Sequence, residues 1–150
     1  MNRARHAIAV TFALAALLLA ACNKDKVVGP KPNEIAGSWN ATKVEFVKKS
    51  APATRADLIA LGAAVSVRID SDKSYRYIET PAAGSPDTTT GVWSLDGESF
   101  RVTPTGMPFS WEWSASLSAN TLSLTGAAME YDFDGNNIPE EALQNMTLVR

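Results

Sequence analysis

The sequence predicts an all-β domain, an antiparallel up-and-down barrel of about eight short strands, behind a removable N-terminal segment. Three observations predict it. Apolar and polar residues alternate with period two in segment after segment. Gly, Pro, Asn and Asp residues suited to turns separate those segments by only a few positions. With 150 residues and 45% hydrophobic content, the chain can bury one core. Connections this short pair neighbours antiparallel into a meander, and a meander whose strands each carry one apolar face has raw edges unless it closes on itself. A β-sandwich would satisfy the same alternation but usually needs longer crossovers.

The first 21 residues are set apart by composition. Arg3, Arg5 and His6 precede an apolar run from Ala7 to Leu19, too short for a mature membrane span, with small residues at its exit. The run ends Leu19-Ala20-Ala21-Cys22, which resembles the lipobox of bacterial lipoproteins. That resemblance implies cleavage before Cys22 and acylation of its sulfur, hence attachment to a membrane through lipid. Asn23 occupies the position where an Asp would favour inner-membrane retention, so the resemblance implies the outer membrane, with the domain facing the periplasm or the cell surface. Residues 22–34 then read as a lipidated terminus and polar tether, stiffened by Pro30 and Pro32 and able to reach about 40 Å. The domain itself is expected over residues 35–150.

Removing the leader takes Arg3 and Arg5 from the fourteen basic residues, leaving twelve against sixteen acidic ones, a formal charge of −4 that argues against nucleic acid as a partner. His6 is the chain's one histidine and Cys22 its one cysteine. The cleaved and lipidated product therefore has no imidazole and no free thiol, which excludes Ser-His-Asp and Cys-His catalysis, His/Cys zinc sites and an internal disulfide. The expectation is a non-enzyme without a cofactor, stabilised by packing.

The strands follow in order. The first is expected over 35–47. Next, Thr54 to Gly62 lacks alternation, favours helix and ends in a Gly suited to a C-cap. One or two helical turns are expected there, between the first and second strands, as a lid over the barrel mouth or as a surface connection with Leu58 and Leu61 tucked against the core. Val65, Val67 and Ile69 mark the second strand, 74–79 the third, 88–95 the fourth and 98–103 the fifth. Asp72-Lys73, Asp96-Gly97 and Ala119-Asn120 are short enough for hairpin turns. From Phe109 to Ser118 every odd residue is apolar and every even one polar; this is the clearest strand of the chain. Leu122 and Leu124 mark another, and 143–149 the last.

Several of these residues carry a resemblance to a family. Gly37-Ser38-Trp39 opens the first strand, Gly91-Val92-Trp93 lies near the middle, Asn120-Thr121-Leu122-Ser123-Leu124 forms a hairpin arm, and the last strand ends Leu148-Val149-Arg150. In this order the motifs resemble the bacterial lipocalin-like lipoprotein domains, over nearly the whole domain. The resemblance implies a barrel in which Trp39, and Trp93 likewise, are structural, with Gly37 and Gly91 beside them. The bend into the first strand and the plugging of the closed end give physical reasons for Gly37 and Trp39.

Phe109, Trp111 and Trp113 are expected on consecutive inward positions, with Tyr75 and Tyr77 sharing one face of their own strand. These five are the candidate ligand-binding residues, and two readings are open. Either the rings fill the barrel, or they line a pocket for a small apolar molecule with the tyrosine hydroxyls at its edge. The corresponding functions are a carrier of a small ligand and a module that binds another envelope protein through its exterior. In both, the protein is expected to be a monomer. Asp132, Asp134 and Asn136 occupy positions one, three and five of a calcium-loop pattern, but Asn137 replaces the glycine and Leu143 the final glutamate. A solvated turn is the expectation there.

Overall fold

The computed structural model describes residues 29–150. The expected leader over 1–21, the lipidation site Cys22 and residues 23–28 of the tether lie outside the described residues. One helical turn, α1 (Pro32–Ile35), precedes the strands β1 (Gly37–Lys48), β2 (Arg55–Asp57), β3 (Ala64–Ile69), β4 (Ser74–Thr80), β5 (Asp87–Asp96), β6 (Ser99–Pro104), β7 (Trp111–Ser118), β8 (Thr121–Tyr131) and β9 (Glu140–Val149). From β3 to β9 each strand pairs antiparallel with the next, β3 pairs with the start of β1, and β9 returns to β1 from Asn40↔Val149 to Lys48↔Ala142. The ring is a closed eight-stranded up-and-down barrel of lipocalin-like architecture, and its closure uses only residues 37–149. Closure removes the sheet edges that a sandwich would leave.

The segment expected to be helical is a correction. Arg55–Asp57 forms β2, paired with Glu45–Val47 of β1. The physical reason is an unmet ladder: β3 covers β1 only from Gly37 to Asn40, which leaves backbone groups farther along β1 open on that side, and β2 takes them. Asp57 then accepts from the backbone N–H groups of Val44 and Ile59, and turns carry the chain to Gly62, whose φ of 92° is the positive value expected of a terminating glycine. Leu58 is buried in the core while Leu61 is exposed, so the connection is tucked in at one leucine only. The helical turn that does form lies before β1, with Pro32 at its start and Glu34 accepting from the Lys31 backbone N–H at 2.8 Å. The described residues thus begin inside the expected tether. Pro30 is buried, and a Cβ on Gly29 would fall 2.2 Å from the carbonyl oxygen of Gly97.

The two ends of the barrel differ. Tight turns after β3, β5 and β7 gather at one end, where Lys73, Gly97 and Ala119 take positive φ. Ile35 and Trp39 plug this end, and both are buried. The Trp39 indole N–H donates to the Ile35 carbonyl at 2.8 Å, the Arg150 guanidinium lies 4.5 Å from the Trp39 ring centre, and Arg150 also donates to the Ala36 carbonyl. The longer connections, residues 49–63, 81–86, 105–110 and 132–139, surround the other end, the mouth. Two irregularities reverse the inward parity of their strands. β1 slips between Ala41 and Lys43, so inward residues change from Trp39 to Val44 and Phe46; β8 bulges at Gly126, φ 89°, so they change from Leu122 and Leu124 to Ala127 and Met129.

Candidate functional site

The interior is packed through most of its length and leaves one small cavity toward the mouth among the described residues. Toward the closed end Trp93, Phe100, Val67, Ile69, Val102, Leu122, Leu124 and Leu148 are buried and packed together, with the Trp93 and Phe100 ring centres 5.9 Å apart. The Trp93 indole donates to the Asp70 carbonyl at 2.9 Å and carries Lys73 over its ring at 4.0 Å. Gly91, beside it, permits a close approach of β5 to β6: an added Cβ would lie 2.4 Å from the Thr103 carbonyl oxygen. Gly37, with φ 143°, makes the bend into β1. The four motif residues Gly37, Trp39, Gly91 and Trp93 are accounted for by packing and backbone geometry.

Above Phe100 a cavity of about 180 Å³ opens toward the mouth, lined by Tyr75, Tyr77 and Glu79 of β4, Asp87 and Thr89 of β5, Trp111 and Trp113 of β7, Met129 of β8 and Gln144 of β9. Four of the five sequence-derived candidates therefore meet there. Phe109 does not. Ladder pairing between β6 and β7 ends at Val102↔Trp111, short of Pro104, whose nitrogen carries no hydrogen to extend it. The chain before Trp111 turns away, Phe109 is 47% exposed, and its ring meets that of Trp111 at the rim, centre to centre 5.9 Å.

Strand alternation puts Tyr75, Tyr77 and Glu79 on one inward row and Asp87 and Thr89 on the next. The Tyr77 hydroxyl donates to Glu79 Oε2 at 3.0 Å. Burial pushes both tyrosine hydroxyls well above the ordinary tyrosine pKa, and at Tyr77 the negative charge of Glu79 adds to it, so both stay protonated and able to donate. Trp113 is 2% exposed and packs against Phe100 and Trp111 at 6.0 and 6.3 Å between centres. Its indole N–H lies buried in the wall, with no hydrogen-bond acceptor among the described residues. The lining is thus part aromatic and part polar.

Sequence reasoning missed Glu79, Asp87, Thr89, Met129 and Gln144. The signal for most of them was present: Glu79 continues the Tyr75–Tyr77 row, Asp87 and Thr89 continue the row of Gly91 and Trp93, and Gln144 interrupts the apolar row Ala142, Met146, Leu148. Met129 was hidden by the bulge. A wider groove of about 560 Å³ crosses the outside of the barrel beside Glu98, Ser99, Ser110, Glu112, Ser114 and Thr125, side chains that are outward polar members of their strands and turns, and it lies open to solvent.

In the 132–139 connection, the Asp132 carboxylate accepts from the backbone N–H groups of Gly135, Asn136 and Asn137 at 2.8, 3.2 and 2.7 Å, and Asp134 accepts from Asn136. Asp132, Asp134 and Asn136 are turn-forming groups whose oxygens the loop itself uses. Burial acts to raise the Asp132 pKa, but these backbone bonds outweigh it and hold the carboxyl below the ordinary aspartate value.

No protein-family model matches the chain, and no curated protein matches it in sequence.

Proposed function

We propose that this protein is a lipid-anchored, lipocalin-like envelope lipoprotein that holds a small molecule in the mouth of its barrel and acts without catalysis. The observation that carries the reading is the cavity in which Tyr75, Tyr77, Trp111 and Trp113 converge above a solid core. Its volume is below the ~300 Å³ of ordinary ligand pockets, so the occupant is small, not a fatty acid or sterol. The anchor rests on the Leu19-Ala20-Ala21-Cys22 match. The tether enters beside Gly97, at the closed end, so an anchored barrel presents its mouth away from the membrane.

Binding is tested on the chain from Asn23, whose barrel closes within residues 37–149. Small aromatic and aliphatic probes should change indole emission saturably, and Trp111→Ala should weaken that binding while Ser114→Ala, on the opposite face of β7, leaves it unchanged. Equal effects, or no saturable change with any probe, would refute the carrier reading. Anchoring is tested in the full chain, where Cys22→Ser should abolish labelling by a fatty-acid analogue.

A second reading has its own observation. Leu61, Met107, Phe109 and Ile138 are exposed on three of the connections around the mouth. This rim favours an envelope protein as a partner, docking over the mouth. Pull-down with and without charged replacements at Phe109 and Ile138 separates the two readings.

A further inference from the structure

The cavity carries negative charge that nothing inside the barrel answers. Glu79, half-buried, and Asp87, exposed at the rim, stand directly opposite one another in the β4–β5 ladder, and both line the cavity where it meets the mouth. Like charges at directly opposed positions destabilise a strand pair. Neither carboxylate belongs to any ion pair among the described residues. Lys48, farther along β1 toward the mouth, is held by Glu140. Tyr77 gives Glu79 a hydrogen bond but no charge, and Asp87 accepts only the adjacent Thr88 N–H at 2.8 Å.

Around this pair stand Tyr75, Tyr77, Trp111 and Trp113, and aromatic rings attract cations through their quadrupoles. Gln144 adds a different demand. It is 5% exposed, lines the cavity, and its amide joins none of the side-chain hydrogen bonds among the described residues. The amide is open to the cavity and offers an occupant both a donor and an acceptor. A metal ion suits the site poorly, because hard cations require six or more oxygen ligands and no group of three or more His, Cys, Asp or Glu side chains comes together among the described residues. A neutral apolar molecule would leave both the carboxylate repulsion and the amide unanswered.

We propose that the cavity takes a small organic cation, an amine or quaternary ammonium with a hydroxyl or carbonyl at its other end. Its positive charge sits between Glu79 and Asp87, its carbon atoms against the four rings, and its polar end at Gln144. The volume, about six waters' worth of liquid, sets the size at roughly six to nine non-hydrogen atoms. This inference rests on the reading of the mouth as a ligand site and specifies its chemistry.

Choline and its neutral carbon isostere 3,3-dimethyl-1-butanol differ in charge and little in shape, and both are titrated through the millimolar range into the chain from Asn23, read by indole emission and calorimetry. Choline should bind saturably and at least about tenfold more tightly than the isostere. Glu79→Gln/Asp87→Asn should remove that preference while the barrel's circular dichroism is retained and its melting temperature holds or rises, since a repulsion is lost. Glu130→Gln makes a like charge change on the outer face of β8 and should leave choline binding unchanged. Equal binding of choline and isostere, or undiminished choline binding in the double variant, overturns the cation assignment and leaves the ligand cavity standing. Binding of neither, with the small aromatic probes still bound, does the same. If no probe of any kind binds, the cavity reading and the cation assignment both fail.

Discussion

Replacing each of three buried tryptophans by phenylalanine isolates the unpartnered N–H of Trp113. Trp39, Trp93 and Trp113 are 1%, 3% and 2% exposed, so the same atoms leave a comparable environment, at about 1–2 kcal/mol of lost burial and packing. The hydrogen bonds differ. Trp39→Phe breaks the 2.8 Å bond to the Ile35 carbonyl and Trp93→Phe the 2.9 Å bond to the Asp70 carbonyl. Each forfeits about 1 kcal/mol and leaves a carbonyl short of its donor, for about 1 kcal/mol more. Their expected total is about 3–4 kcal/mol. At Trp113 the substitution instead removes a buried donor with no acceptor among the described residues, recovering about 1–3 kcal/mol of desolvation, so the net change should lie between about 1 kcal/mol of destabilisation and about 2 kcal/mol of stabilisation. Urea unfolding of the chain from Asn23, followed by far-ultraviolet circular dichroism, gives all three differences, provided the slopes agree. Should Trp113→Phe cost as much as Trp93→Phe, the donor must be satisfied in solution, and the reasoning from its isolation is refuted.

Arg150→Ala should destabilise by about 0.5–1 kcal/mol through loss of the guanidinium over Trp39, measured by the same unfolding curves, with Trp39→Phe/Arg150→Ala costing less than the sum of the two. Gly91→Ala should cost about 1–3 kcal/mol, because its Cβ would meet the Thr103 carbonyl at 2.4 Å and neither strand can retreat within a closed barrel; an unchanged melting temperature would refute this. Calcium titration should leave the melting temperature unchanged, since the Asp132 oxygens already serve the loop's backbone. The lowered pKa of Asp132 means that its stabilising contribution is present above the ordinary aspartate value of 3.8 and is lost as pH falls through its folded value. Asp132→Asn should therefore lower stability at neutral pH, and the deficit should shrink toward strong acid, as acid-dependent melts will report.

Local chemistry made most of the barrel legible. Residues 121–122 and 99–100 begin strands because turn residues stand just before them, and Trp113, Val67 and Leu124 declare their inward faces by alternation over a few positions. The segment at 54–62 was misread for the converse reason. Its own composition favours helix, and its strand conformation comes from the stretch of β1 that β3 leaves unpaired, a vacancy that the segment's own residues do not disclose. Phe109 was misplaced because alternation continues past the end of the ladder, while the ladder's limit is set by a proline on the neighbouring strand.

The sequence by itself determined the all-β class, the order of the barrel strands and the rows to which Tyr75, Tyr77, Trp111 and Trp113 belong. These follow from period-two patterning and turn chemistry, which act over a few residues. Only the tertiary structure decided where the barrel is solid and where it is hollow, because that depends on side chains from separate strands meeting across the interior. It also brought Glu79 opposite Asp87 and set Gln144 beside the aromatic rings. Strand register and the slips in β1 and β8 bring those groups together, and register is a property of paired strands that no single segment contains.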